Sequence, residues 1–125
     1  MSRSRTAAAA LATARLLYGV ALIVAPERVA SGWLGKDVKR EPTKIAVHGL
    51  AARDIALSAG ALAALHDEDA LAGWLAAAIA CDLSDIVSTL AVPAKKLPSN
   101  ARWGTVALGG SSAALGAVAL ALVKR

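Results

Sequence analysis

Phenylalanine is absent from this 125-residue chain, and aromatic residues of every kind make up only 3% of it. Charged residues are scarce as well, at 18%, where an ordinary soluble domain carries about 25%. A water-soluble domain of this size needs a charged surface, so the composition argues against one. Cysteine occurs once, as Cys81, which excludes an internal disulfide. Cys81, His48 and His66 do not stand at zinc-ligand spacings, so no metal site and no cofactor are expected. The chain also lacks a basic face interleaved with base-contacting groups, which speaks against nucleic acid as a partner. It has no internal repeat and no linker, so residues 1–125 are read as one domain.

What remains is aliphatic: hydrophobic residues reach 57%, mostly Ala, Leu and Val. They gather in four segments, Thr6–Ala25, Thr43–Leu65, Ala70–Val92 and Ala101–Val123. At about 1.5 Å per residue, each forms a helix roughly 30 to 35 Å long, enough to cross a bilayer core. The last is the clearest, because Gly104 to Val123 carries no charged residue. The first begins like a secretory signal, "MSRSRTAAAALATARLLYGV", but Arg15 interrupts its apolar core and argues for a retained span. The expected fold is all-α: a four-helix transmembrane bundle, with membrane lipid as its main partner.

Punctuation separates the segments. Pro26 and Pro42 bracket the first loop, "HDED" at 66–69 makes an acidic turn in which Asp69 could cap the third span, and "VPAKKLPSN" ends that span. Within the first loop, "PERVASGWLG" fits a short interfacial helix, with Val29, Trp33 and Leu34 toward lipid and Arg28 outward. Loops one and three hold Arg28, Lys36, Lys39, Arg40, Lys44, Lys95, Lys96 and Arg102. The other side holds Arg3, Arg5, Lys124 and Arg125. By the positive-inside rule, loops one and three are expected in the cytoplasm, with the protein in the inner (plasma) membrane. Trp33 and Trp103 are expected in one aromatic belt and Trp74 nearer the other.

The informative residues are the charges at mid-span. Arg15 is central in the first segment, Arg53 and Asp54 in the second and Asp82 in the third, with Asp85 one turn further on. Each isolated charge at that depth costs about 2.5–3.5 kcal/mol on insertion scales, so the five are expected to pair. Asp82 and Asp85 share one helix face. Arg53 and Asp54 diverge by about 100°, so one should face the third span and the other the first. Bidentate Arg–Asp geometry is expected, and His48 is a candidate third positive charge. Ser84, Ser88 and Thr89 are read as bonding to their own helix's carbonyls.

The candidate binding set is therefore Arg15, His48, Arg53, Asp54, Asp82 and Asp85. The leading reading is a binding, transport or accessory module built on that cluster. The alternative is a membrane enzyme using Asp82 or Asp85 as acid or base on a lipid-like substrate. A third is an accessory subunit whose buried charges only fix packing. In the fourth span, Gly109, Gly110, Ser111, Ala113, Ala114 and Gly116 allow close helix approach, within the bundle or in a homo-oligomer. "GGSSAALG" lacks the Lys-Ser/Thr ending and preceding strand of a phosphate loop.

The runs "RLLYGVALIVAPERV", "HGLAARDIALSAGAL" and "WLAAAIACDLSDIV" resemble a group of small four-span membrane proteins common in actinobacteria. The matching points are Arg15, Gly19, Pro26, Gly49, Arg53, Asp54, Asp82 and Asp85. That resemblance implies the fold and the compartment and carries no activity with it. Small multidrug transporters place Glu in span one where this chain has Arg15, and the Asn and Phe features of small fluoride channels are missing.

Overall fold

The computed structural model describes residues 2–125. Five α-helices follow one another: α1 (Arg3–Val24), α2 (Pro26–Leu34), α3 (Glu41–Ala63), α4 (Glu68–Ala91) and α5 (Ser99–Lys124). Single 3-10 turns at Gly35–Lys39 and Ala94–Lys96 complete the connections. Four helices, all but α2, are long and apolar enough to cross a membrane. Their bounds lie within about a turn of the apolar segments: each helix starts two or three residues earlier, in polar residues, and all but α5 end one or two residues sooner.

Local chemistry sets the ends. Pro26 and Pro42 stand in the first turns of α2 and α3, where a missing N–H is harmless. Ser2 caps α1 by accepting from Arg5 N, and Asp67 caps α4 by accepting from Ala70 N at 3.0 Å. The sequence had suggested Asp69 for that cap. Asp69 already lies in the first helical turn and instead pairs with Lys124 Nζ at 3.3 Å. Between α4 and α5, Arg102 Nη1 donates to the carbonyl of Val92 at 3.0 Å, satisfying an acceptor just beyond the end of α4.

The four long helices form a ring in the order α1, α3, α4, α5, with two tight edges and two loose ones. α1 packs closely on α3, and α4 on α5. Small residues make both tight edges. A Cβ on Gly19 would lie 2.9 Å from Ile55 Cγ1 and 3.0 Å from the carbonyl oxygen of Ala51. On the other edge Gly109 and Gly116 face Ile86 and Ile79 of α4. Part of the small-residue face of α5 is therefore used within the chain, while Ser111 and Ala114 remain exposed.

Most buried side chains are alanines, whereas Val24 (77% exposed), Ile45 (71%) and Val87 (67%) point outward. Large apolar groups outside and small or charged groups inside invert the soluble pattern. That inversion suits lipid, where close van der Waals packing replaces hydrophobic burial as the force between helices.

α2 departs from the sequence expectation. Val29, Trp33 and Leu34 do not face outward to lipid; they pack on a core of Leu22, Ala30, Val38, Val47 and Ala51. The reason is a sharp return of the chain over the end of the bundle, which gives the apolar face of α2 a protein surface to cover. Trp33 donates its indole N–H to Thr105 Oγ1 at 2.9 Å and to the Ala101 carbonyl at 3.3 Å. Arg28 is exposed, as expected. Glu27 pairs with Lys44 Nζ at 2.9 Å, tying α2 to α3, and that ammonium holds the Glu27 carboxyl below its usual range.

The α1–α3 contact yields a stability test. Gly19→Ala places a methyl against backbone and lowers thermal stability in detergent, by about 1–3 kcal/mol for overpacking. Gly73→Ala, with open space around its Cβ, is neutral or stabilising, because alanine is the better helix former by about 0.5–1 kcal/mol.

Candidate functional site

All five mid-span charges meet. Arg15 reaches from α1 to two carboxylates: Nη1 donates to Asp54 Oδ1 at 3.1 Å and to Asp82 Oδ1 at 3.2 Å, and Nη2 donates to Asp82 Oδ2 at 2.6 Å. Arg53 of α3 forms a bidentate pair with Asp85 of α4, its Nη1 lying 3.2 Å from Oδ1 and its Nη2 bonding Oδ2. The adjacent residues Arg53 and Asp54 thus serve different neighbours, α4 and α1, as their divergence on one helix requires.

The pairing has a structural logic. The Arg15–Asp54 bond lies within the tight α1–α3 edge. Arg15–Asp82 and Arg53–Asp85 both run from the α1/α3 pair to the α4/α5 pair. Guanidinium groups on long stems span the loose centre where backbones stay apart, and two parallel N–H···O bonds fix the orientation of each fork.

The cluster divides by environment. Asp54 and Asp82 are each 5% exposed. The Arg53 and Asp85 side chains are 32% and 34% exposed. A cavity of ≈ 250 Å³ reaches both groups, walled by leucines of α1, α3 and α5 and edged by Tyr18 and Trp33. A second space of ≈ 590 Å³ shares Trp33, Leu50, Arg53, Asp85 and Thr105 with it and continues to Pro42 and Thr43 beside the end of α2. On the other side of Arg15 there is room for only ≈ 20 Å³, beside Ser58, Ala61 and Trp74. That admits nothing larger than a single water. The roomier approach to the cluster is therefore on the side of Arg53 and Asp85.

Among the described residues, Ser58 Oγ and Arg53 Nε are buried side-chain polar atoms without a hydrogen-bond partner. Ser58 was not singled out from sequence; a lone serine in an alanine-rich helix gives no signal before the neighbours are known. Tyr18, Trp33 and Thr105 were likewise missed as cavity-lining residues, since only the fold-back of α2 brings Trp33 to the cluster.

His48 does not join the group. It lies on the exposed face of α3, outside the cavities that reach Arg53. It is neither one nor two full turns from Arg53, so it points another way around the helix. Ser84, Ser88 and Thr89 form no bond to a carbonyl among the described residues. Hydroxyls that do bond back along their helices are Thr6, to Ser2 at 2.9 Å, Ser31, to Arg28 at 3.4 Å, and Thr105, to Ala101 at 2.8 Å. The described residues contain no group of three or more His, Cys, Asp or Glu placed to hold a metal ion.

Fold and site together define a small all-α bundle, compatible with a polytopic membrane protein, whose helix pairs are joined by Arg–Asp bridges at mid-length. No family model, curated protein or solved structure matches the chain.

The two halves of the cluster should respond differently to substitution. Asp82→Ala strips both Arg15–Asp82 bonds in a buried setting and costs about 3–5 kcal/mol, read as a lowered melting temperature in detergent. Asp85→Ala costs about 1 kcal/mol or less, because its pair is partly solvated. The exchange Arg53→Asp with Asp85→Arg recovers most of that loss.

Proposed function

We propose that the chain is a multi-pass protein of the inner (plasma) membrane that acts as a binding or transport module, with the cavity at Arg53 and Asp85 as its site. The observation carrying this reading is the one-third exposure of that pair inside a space continuous with the end of α2. A cluster that only fixed packing would be dry throughout, whereas this one borders open space on both of its halves. Intramembrane ionisable groups facing a cavity mark ligand or ion paths.

The mouth lies at the end bearing loops one and three, which carry the larger basic charge and are assigned to the cytoplasm on that basis. A homo-oligomer would use the outward small residues of α5, Ser111 and Ala114. The enzyme reading is weaker. Both oxygens of Asp82 and both of Asp85 already accept from guanidinium groups, which leaves neither carboxylate free as an acid or base.

Thiol labelling tests the reading in proteoliposomes. In a Cys81→Ala background, Leu50→Cys and Thr89→Cys react with a membrane-impermeant methanethiosulfonate added on the side of loops one and three. Ala61→Cys, beside the closed end, does not react from either side. Absence of labelling at Leu50→Cys from that side overturns the proposal.

A further inference from the structure

The unequal charge of the two halves points to the ligand. The Arg53–Asp85 pair is neutral. The other half sets one guanidinium against two carboxylates, which with both ionised leaves one negative charge in a low-dielectric interior. His48, the candidate third positive group, is on the outside of α3.

The surplus is exposed at a definite atom. Asp54 is 5% exposed overall, and Arg15 takes only its Oδ1. Oδ2 accepts no hydrogen bond from the described residues, and it is not among the sealed polar atoms that lack partners. It therefore keeps its accessible surface on the cavity that Asp54 lines. A buried carboxylate oxygen without a donor costs several kcal/mol unless a cation or donor meets it.

We propose that this cavity binds a small organic monocation: an ammonium head carrying an apolar group. The proposal rests on the binding reading above and names its ligand class. The ammonium sits against Asp54 Oδ2. Tyr18 and Trp33 are both on the cavity wall, and rings of their kind attract cations. Leu11, Leu50, Leu108 and Leu115 surround the apolar part. Size agrees, since a cavity of about 150 Å³ holds benzene and this one has ≈ 250 Å³. A bare metal ion is disfavoured, because the described residues converge no set of three anionic or imidazole ligands on one point, whereas hard cations take six or more oxygens. A free anion would meet the wrong sign, as both guanidinium groups are already engaged.

The test uses Trp33 fluorescence in a Trp74→Phe, Trp103→Phe background, in detergent and in neutral-lipid vesicles. Three probes share a benzyl group and a tetrahedral head: benzyltrimethylammonium, its uncharged carbon analogue neopentylbenzene, and the anion phenylmethanesulfonate. The ammonium is expected to change the signal saturably. The neutral analogue should bind on the order of tenfold more weakly, or about 1.4 kcal/mol, and the sulfonate not at all. Asp54→Asn should bring the ammonium to the level of the neutral analogue. If Asp54→Asn does not fold, Ala14→Leu, at the exposed rim of the cavity, provides the second arm and should abolish binding by occupancy. Equal binding of the ammonium and the neutral analogue overturns the charge inference while leaving a binding cavity. Preference for the sulfonate, or no saturable binding of the ammonium, overturns it as well. Failure of the cavity reading itself shows separately, as an unreactive Leu50→Cys.

Discussion

One guanidinium at the centre of the bundle holds two carboxylates from two other helices, and the remaining structure is arranged around that contact. Arg15 draws Asp54 and Asp82 to itself from α3 and α4. Helices in lipid gain little from hiding apolar surface, so shape and polar pairing decide how they associate. This chain uses both. Glycine and alanine bring α1 onto α3 and α5 onto α4. The Arg–Asp bridges then join the two pairs across a gap that small side chains leave open. The gap and the charges are consequences of one another: close-packed backbones would leave no room for guanidinium groups, and an unpaired charge there would make the gap costly.

The same economy of side chains makes a cavity. Alanine-rich helices held apart by arginine stems enclose space, and leucines of α1, α3 and α5 wall it. One end is closed by Trp74 lying over Gly60, where a Cβ would come within 2.5 Å of the indole ring. The other end is roofed by Trp33 and α2 but remains continuous with the space beside Pro42 and Thr43. The Arg15 half of the cluster is the more buried, the Arg53–Asp85 half the more exposed, and the ≈ 250 Å³ cavity touches both. Two adjacent residues of α3 thereby serve different neighbours along one cavity: Asp54 shares Arg15 with Asp82, and Arg53 pairs with Asp85 nearer the entrance.

Much of this was legible in the sequence. Four apolar segments of membrane-spanning length fixed the helices to within about a turn. Charges at equal depth on three of them required pairing, and the adjacency of Arg53 and Asp54 required that they serve different partners. Position along a helix was readable, but direction around the bundle was not. His48 shares a helix with Arg53 and lies less than two turns away, yet its angular position turns it outward. Val29, Trp33 and Leu34 have the spacing of a lipid-facing stripe, and nothing local to α2 says that the chain folds back over the bundle end. The capping role passed from Asp69 to Asp67, a shift of the kind expected where several acidic residues are adjacent. Tyr18 and Thr105 became visible only once four helices were placed together, because the cavity they line belongs to no single segment, and the same holds for Ser58 beside the smaller space.

The central claim is direct contact between the Arg15 guanidinium and the carboxylates of Asp54 and Asp82 within the bilayer. Solid-state NMR on protein in hydrated lipid, with nitrogen-15 in the arginine side chains and carbon-13 in the aspartate carboxyls, measures it through dipolar recoupling. An Arg15→Lys sample, or selective labelling, assigns the signal. A strong coupling from the Arg15 Nη atoms to Cγ of Asp82, with a weaker one to Asp54, is the predicted result, in keeping with Nη2 at 2.6 Å from Asp82 Oδ2 and Nη1 at 3.1 Å from Asp54 Oδ1. Dephasing no greater than that of a solvent-exposed arginine such as Arg28 would contradict the account, because the two helix pairs would then lack the bridge on which their arrangement and the cavity between them depend.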